Sequence, residues 1–306
     1  MNWNESLEPG CLEPIGAEGI ETTILPRPRD LGGFEIRRSL PAAARQSIGP
    51  FVVFDQAGPA GLQPGSGIDV RPHPHIGMAT VTYLFSGAFQ HRDSLGTDSV
   101  IHPGAVNWMI AGRGIVHSER TPAGIRQGTH ALSAIQVWIA LPKRHEETEP
   151  AFEHHSAGAL PVLEAEGKWL RVILGDAYGE TAPASTFGKT LYADAKLAPA
   201  AVLPLPEGHE ERAVHVVEGS LEIAGDSVGA GRMLVFGAQE DRALVAGPAG
   251  ARLMLLGGAR LDGPRHIWWN FVSSSKDRIE QAKEDWRQGR FALPPNDRDE
   301  FIPLPD

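Results

Sequence analysis

Apolar positions along the chain fall in short runs of strand length, separated by Gly, Pro and Asp, and only once at helical spacing. Phe51-Val52-Val53-Phe54, bounded by Gly49-Pro50 and Asp55, predicts a first buried strand. Met78 to Phe85, Ser99 to Ile101, Val106 to Ile110 and Ala134 to Ala140 follow, each rich in β-branched or aromatic residues. A second set begins at Leu170 to Leu174 and continues through Ala213 to Val217, Ser220 to Ile223, Met233 to Phe236 and Ala251 to Leu256. Closely spaced strands joined by turns predict an all-β sandwich or barrel, and two sets predict two such units. Residues 1 to about 50 read as a leader with irregular strands.

The exception to the period-two pattern runs from about Lys276 to Gln288, where Ile279, Ala282 and Trp286 make one apolar stripe. Ser274 with Asp277 resembles a capping box and Gly289 supplies a stop, so a single helix is predicted there, docked on the β-units by its stripe. Between the two strand sets, residues 141–160 are polar, carry Lys143-Arg144-His145-Glu146-Glu147, Pro150 and His154-His155, and read as a surface linker. The predicted organisation is therefore 1–150, 151–262 and a tail, 263–306, that holds the helix. A weak internal repeat supports duplication: strand, Ser86-Gly87 or Glu218-Gly219-Ser220, strand, then Pro103-Gly104 or Gly229-Ala230-Gly231.

Composition adds little to the fold but narrows the function. With 306 residues there is room for two cores, and 35 Gly with 25 Pro, spread along the chain, suit many turns. A formal net charge of -10, with no basic run to offset it, argues against direct binding of nucleic acid or an anionic membrane. The lone Cys11 cannot form an internal disulfide, has no base beside it, and is not expected to act as a catalytic thiol. No apolar run of spanning length and no signal-peptide pattern is found, so the expectation is a cytoplasmic protein with a reduced thiol.

Candidate chemistry sits in two short motifs. His73-Pro74-His75 places two imidazoles on one face of an extended segment, and Pro74 favours that geometry. His117-Ser118-Glu119 repeats the spacing with a carboxylate second. If the two segments face each other across a barrel, three nitrogens and one oxygen converge on one ion. That donor set suits Fe(II), Mn, Ni, Cu or Zn, whereas Ca and Mg prefer all-oxygen shells.

The same residues carry a resemblance. Gly67 to Gly87 with its Gly-x5-His-x-His core looks like the first cupin motif. Pro103-Gly104-x2-Asn107-Trp108-Met109-x-Ala111-Gly112-x-Gly114-Ile115-x-His117-x-Glu119 resembles the second as pirins carry it. Ile48 to Asp55, His91-Arg92-Asp93-Ser94-x-Gly96, Gln136-x-Trp138-x-x-Leu141-Pro142 and Pro264 to Val272 are similar as well, so the likeness spans most of the chain. The resemblance implies two tandem cupin barrels of jelly-roll type with a C-terminal helix. It also implies one metal, usually iron, held in the first barrel by His73, His75, His117 and Glu119, and a monomer. Quercetin 2,3-dioxygenase activity is implied too, with a flavonol-like aromatic substrate and O2. In that scheme the flavonol 3-hydroxyl loses its proton, with Glu119 the base if its metal bond loosens, dioxygen attacks the activated carbon skeleton, and carbon monoxide is released. The alternative the family implies is a metal-dependent regulator acting through a protein partner.

Two departures stand out. Many family members place Glu after the H-x-H motif, where this chain has Ala79 and Thr80. The second strand set has no H-x-H, since His215 and Glu218 are three apart and His209 is isolated, so that half is expected to bind no metal. His91 and Asp93 are expected either to line the mouth of the site or, for Asp93, to cap a turn. Arg113 stands before the ligand strand and either holds the loop or meets a substrate oxygen. His102, His130 and His266 are isolated, while His145, His154 and His155 fall in the predicted linker. Trp108, Met109 and Phe54 are expected to serve packing first and an aromatic substrate second.

Overall fold

In the computed structural model residues 19–30, 34–237 and 242–305 are described; Cys11 and residues 1–18 and 31–33 of the predicted leader lie outside them. The first half contributes β1 (Ile20–Ile24), β2 (Arg27–Asp30), β3 (Glu35–Leu40), β4 (Phe51–Leu62), β5 (Asp69–His75), β6 (Met78–Ser86), β7 (Phe89–Asp93) and β8 (Asp98–Ile101). It continues with β9 (Val106–Ile110), β10 (Ile115–Arg120), a single helical turn α1 (Ala123–Arg126), β11 (His130–Ala140) and β12 (Ala151–His155). The second half runs through β13 (Val162–Ala165), β14 (Lys168–Ala177), β15 (Glu180–Thr181), β16 (Thr190–Leu197), β17 (Val202–Pro204) and β18 (Glu211–Ile223). Then come β19 (Asp226–Gly229), β20 (Met233–Phe236), β21 (Ala243–Gly258), a hairpin of β22 (His266–Trp268) and β23 (Phe271–Ser273), and helix α2 (Lys276–Arg287).

The expected all-β class and the tandem barrels are what the strands build. The first barrel packs a sheet of order β12-β9-β6-β11-β4-β3-β2 against one of order β5-β10-β7-β8. The second is a sheet with the path β1-β20-β18-β21-β16-β14-β13. Two strands depart from the sequence order of the halves. β1, from the N-terminal side, pairs with β20 of the second sheet, and β12 pairs with β9 of the first. Residues 141–160 are therefore not a surface linker, as their polarity suggested. Alternation along β12 turns Phe152 onto Met109 and the first core, while His154 Nδ1–H donates to Asn107 Oδ1 over 2.7 Å.

Period-two alternation assigns the faces. On β11, Ile135, Val137 and Ile139 turn toward the second barrel and join Ile173, Tyr192 and Met254 in a shared apolar layer. Gln136 and Trp138 turn the other way, into the first barrel. The second barrel's interior is filled by aliphatic side chains, among them Val214, Val216, Leu234, Leu253 and Leu255. His215 points away from that lumen into the layer between the barrels, where its Nε2 lies 2.9 Å from Gln56 Oε1 and its ring 4.7 Å from that of Phe54.

Helix α2 forms where the apolar stripe predicts. Its N-cap is Ser275, whose hydroxyl accepts from Arg278 N; Ser274, the residue the capping-box pattern points to, instead donates its N–H to Glu146. Ile279, Ala282 and Trp286 pack on Ile76, Val116, Trp268 and Phe271. Burying each large apolar side chain is worth about 1.5–3 kcal/mol, and here the burial clamps the helix on the outer face of β5 and β10. Ile76 and Val116 are chain neighbours of His75 and His117, so the helix braces the strands that carry the histidines. Among the described residues no helix is long and apolar enough to cross a membrane.

Candidate metal centre

β5 and β10 do not face each other across the barrel; they are antiparallel neighbours in one sheet. Their register sets His117 opposite His73 and Ile115 opposite His75, which turns the three imidazoles to the same, inward face. One ligand atom from each of His73, His75 and His117 lies within 4.8 Å of the others, and all three residues are buried. His75 Nε2 and His117 Nε2 are 3.1 Å apart. Gly77 makes this tight turn possible: its φ is +68°, and a Cβ there would stand 2.0 Å from the Val272 carbonyl oxygen.

Hydrogen bonding on the far side of each ring fixes which nitrogen is free. His73 Nδ1 lies 2.8 Å from the Arg71 carbonyl and His75 Nδ1 3.1 Å from the Asn270 carbonyl. A carbonyl only accepts, so both Nδ1 atoms carry the proton and both Nε2 atoms present lone pairs. His117 Nδ1 is 3.4 Å from His91 Nδ1, and His91 Nε2 is 3.0 Å from Asp93 Oδ2. Proton donation along that chain, His117 to His91 to Asp93, leaves a third lone pair on His117 Nε2. Three unprotonated nitrogens thus face one another with no proton between them. Two nitrogens about 2.1 Å from one ion and at right angles to it stand about 3 Å apart, close to the His75–His117 separation. The residues present fit a transition metal.

Electrostatics agree. Burial is the main cause that lowers the pKa of His73, and it takes His75 and His117 well below the usual histidine range; positive charge on neighbouring rings adds to it for all three. Neutral imidazole is the form that binds a metal. Burial alone would raise the Asp93 carboxyl, but hydrogen bonds from His91 and Thr97 outweigh it and hold that group below the usual range.

Glu119 sits on the same face of β10, buried, but its two oxygens are taken by Thr82 Oγ1 at 3.0 Å and Gln136 Nε2 at 2.8 Å. The cluster within 4.8 Å comprises the three histidines without it. His91 and Asp93 do not line a mouth. Both are buried, Asp93 also accepts from Leu95 N and Thr97 N, and His91 stacks on Phe152 with ring centroids 4.4 Å apart. Arg113 turns outward and pairs with Glu149, both side chains being mostly exposed. His130 bonds to the Gly128 carbonyl, His155 to Glu153, and His145 packs on Phe187, all away from the three rings. Sequence reading missed Thr82, Gln136 and the Asn270 carbonyl. Period-two alternation through Thr80-Val81-Thr82 and Gln136-Val137-Trp138 carried a partial signal for the first two.

Comparison with known proteins gives the family to which this fold belongs. The family model described as pirin matches residues 33–139, and that of the pirin C-terminal cupin domain matches residues 192–292. A pirin-like protein of Caulobacter vibrioides is 46% identical over 283 residues, covering 92% of this chain and 97% of its own. The crystal structure of a quercetin 2,3-dioxygenase from Acinetobacter baumannii superposes with a TM-score of 0.87 at 31% identity, covering 94% of this chain and 96% of that one. The bacterial pirin YhhW of Escherichia coli, solved in complex with nickel(II), shares the fold with a TM-score of 0.61 at 20% identity, over 78% of this chain and 99% of its own. With two cupin barrels, a buried three-histidine cluster in the first, and these relatives along nearly its whole length, the chain belongs to the pirin family.

Proposed function

We propose that this pirin is a metal-dependent dioxygenase of flavonol type, with one divalent metal, iron(II) in the first instance, held by His73, His75, His117 and Glu119. The observation that carries the metal is the convergence of three imidazoles whose Nδ1 atoms are all engaged elsewhere. Mn, Ni, Cu and Zn satisfy the same donors. The reaction rests on likeness to the Acinetobacter enzyme. Bound there, the metal would supply Lewis acidity and one-electron chemistry toward dioxygen.

The chain's own groups suit an aromatic substrate. A cleft of about 900 Å³ is lined by Trp138 and Asn270, both neighbours of His75: the Trp138 ring lies 5.3 Å away, edge-on, and the Asn270 carbonyl accepts from Nδ1, while His73, His75, His117 and Glu119 themselves are not among the residues that line it. Its volume is in the range of small-molecule sites, and Trp138, Val53 and Trp268 give it apolar walls for a flat ring. Glu119 is the buried carboxylate nearest in sequence to a cluster histidine. Released from Thr82 or Gln136, it takes the substrate's hydroxyl proton or completes the donor set.

The test is direct. Anaerobically iron-loaded protein mixed with quercetin in air is expected to bleach the flavonol absorbance faster than metal-free protein and faster than His75→Ala. Equal rates in all three would overturn the enzyme reading for this substrate and leave a regulatory role through a protein partner. Metal analysis after reloading decides the centre separately: less than about a tenth of an equivalent of any transition metal removes it.

A further inference from the structure

Trp108 and Met109, neighbours on β9, turn to opposite sides: Met109 into the first barrel, Trp108 into the apolar layer between the barrels. At the edge of that layer opens a cavity of about 420 Å³. Trp108, Ile139, Leu141, Pro142 and Phe187 give it apolar walls, and none of the four buried histidines of the first barrel lines it. Lys143, Arg144, Lys189 and Arg260 stand around it with one carboxylate, Asp262. Asp262 lies 2.5 Å from Arg265, a guanidinium it shares with Glu146, and Arg260 is engaged by Glu211 at 3.2 Å, so four cations stand against one carboxylate at the rim. Among the described residues neither Lys143 nor Lys189 is in an ion pair, and both are exposed. On a chain of net charge -10 this mouth is locally positive.

Two exposed lysines at the rim of an aromatic-walled cavity combine the features that a small aromatic anion requires. Lysine ammonium groups attract a compact anion, and a flat ring on Trp108 and Phe187 would gain dispersion and burial. We propose that this inter-barrel cavity is a binding site for a small aromatic anion, its ring between Trp108 and Phe187 and its carboxylate at Lys143 and Lys189. The site is separate from the metal centre and does not depend on the activity proposed for it.

Calorimetric titration of the full-length, metal-free protein with 2-naphthoate tests this. One site per chain is expected. Its affinity is expected to fall about tenfold or more in Lys143→Glu/Lys189→Glu and to drop as salt rises from about 0.05 to about 0.5 M. 2-Naphthylmethylammonium, the same ring with the opposite charge, is expected to bind about tenfold more weakly or not at all. Thr186→Trp fills the cavity while keeping both lysines, and is expected to abolish binding. His75→Ala is expected to retain the affinity within about twofold, which separates this cavity from the cleft beside His75. Absence of naphthoate binding, equal affinity in the charge-reversed and filled variants, preference for the cation, or loss of binding in His75→Ala each overturns the proposal.

Discussion

The Nδ1 atoms of His91 and His117 stand 3.4 Å apart, and through this contact the imidazole cluster is tied to the Asp93 carboxylate. Asp93 is itself locked by two backbone amides, so the chain of bonds ends on a rigid anchor. His91→Phe keeps the stack on Phe152 but removes both nitrogens, freeing the His117 ring and its tautomer. Metal affinity, measured by competition with a chromogenic chelator, is expected to fall about 10–100-fold. Unchanged affinity would show that His91 serves packing alone.

Gly77 is the second support of the site, because its Cα hydrogens face the Val272 carbonyl at a distance no side chain tolerates. Gly77→Ala is expected to push the β22–β23 hairpin away, cost about 3 kcal/mol or more in denaturant unfolding, and weaken metal retention through loss of the Asn270–His75 contact. A variant as stable as the parent would mean that the hairpin moves at little cost.

Arg265 has only 1% of its side chain exposed and pairs with Glu146, whose side chain is 7% exposed and which also accepts from Ser273 and Ser274. This joins the hairpin and the start of α2 to the loop after β11. Arg265→Met leaves Glu146 without its counter-charge and is expected to cost about 3–5 kcal/mol, read by chemical denaturation. The double variant Arg265→Met/Glu146→Leu is expected to recover part of that loss.

His215 gives a pH signature. Burial, with the charge of Arg37, takes its pKa down to about 3, so the folded chain holds it neutral. The unfolded chain binds a proton there near pH 6.5, hence protons favour unfolding between these values. Its contribution is present in full above about pH 6.5 and is lost as pH falls toward 3, with a ceiling of about 5 kcal/mol. His215→Gln keeps a partner for Gln56 and does not titrate. Its stability, measured on metal-free protein from pH 7 to 4, is expected to decline less than the parent's; parallel curves would refute the assignment.

How far the sequence could be read depends on the range of each interaction. The His73-Pro74-His75 and His117-Ser118-Glu119 motifs were legible because side-chain direction in a strand repeats every two residues. Strand positions and the α2 stripe were legible for the same local reason. The His91–His117 contact was not, since it depends on the pairing of β7 with β10, and the Asn270 carbonyl reaches His75 from 195 positions away. Glu119 shows the limit of spacing: alternation places it on the correct face, but Thr82 and Gln136, from two other strands, decide where its oxygens lie. The polar run after Leu141 misled because β12 is a half-exposed edge strand, whose composition matches that of a linker.

The exchange of β1 and β12 between the halves bears on how such a chain can evolve. A gene cut at residue 150 would yield one product with the outer edge of β9 bare and another with β20 bare and β12 as an orphan. Exposed strand edges recruit one another, so both fragments would tend to aggregate rather than fold. With the strands laced in this way each barrel is completed by a strand from the other half of the chain, so the second half supports the edge of the first barrel even though its own interior is filled with aliphatic side chains.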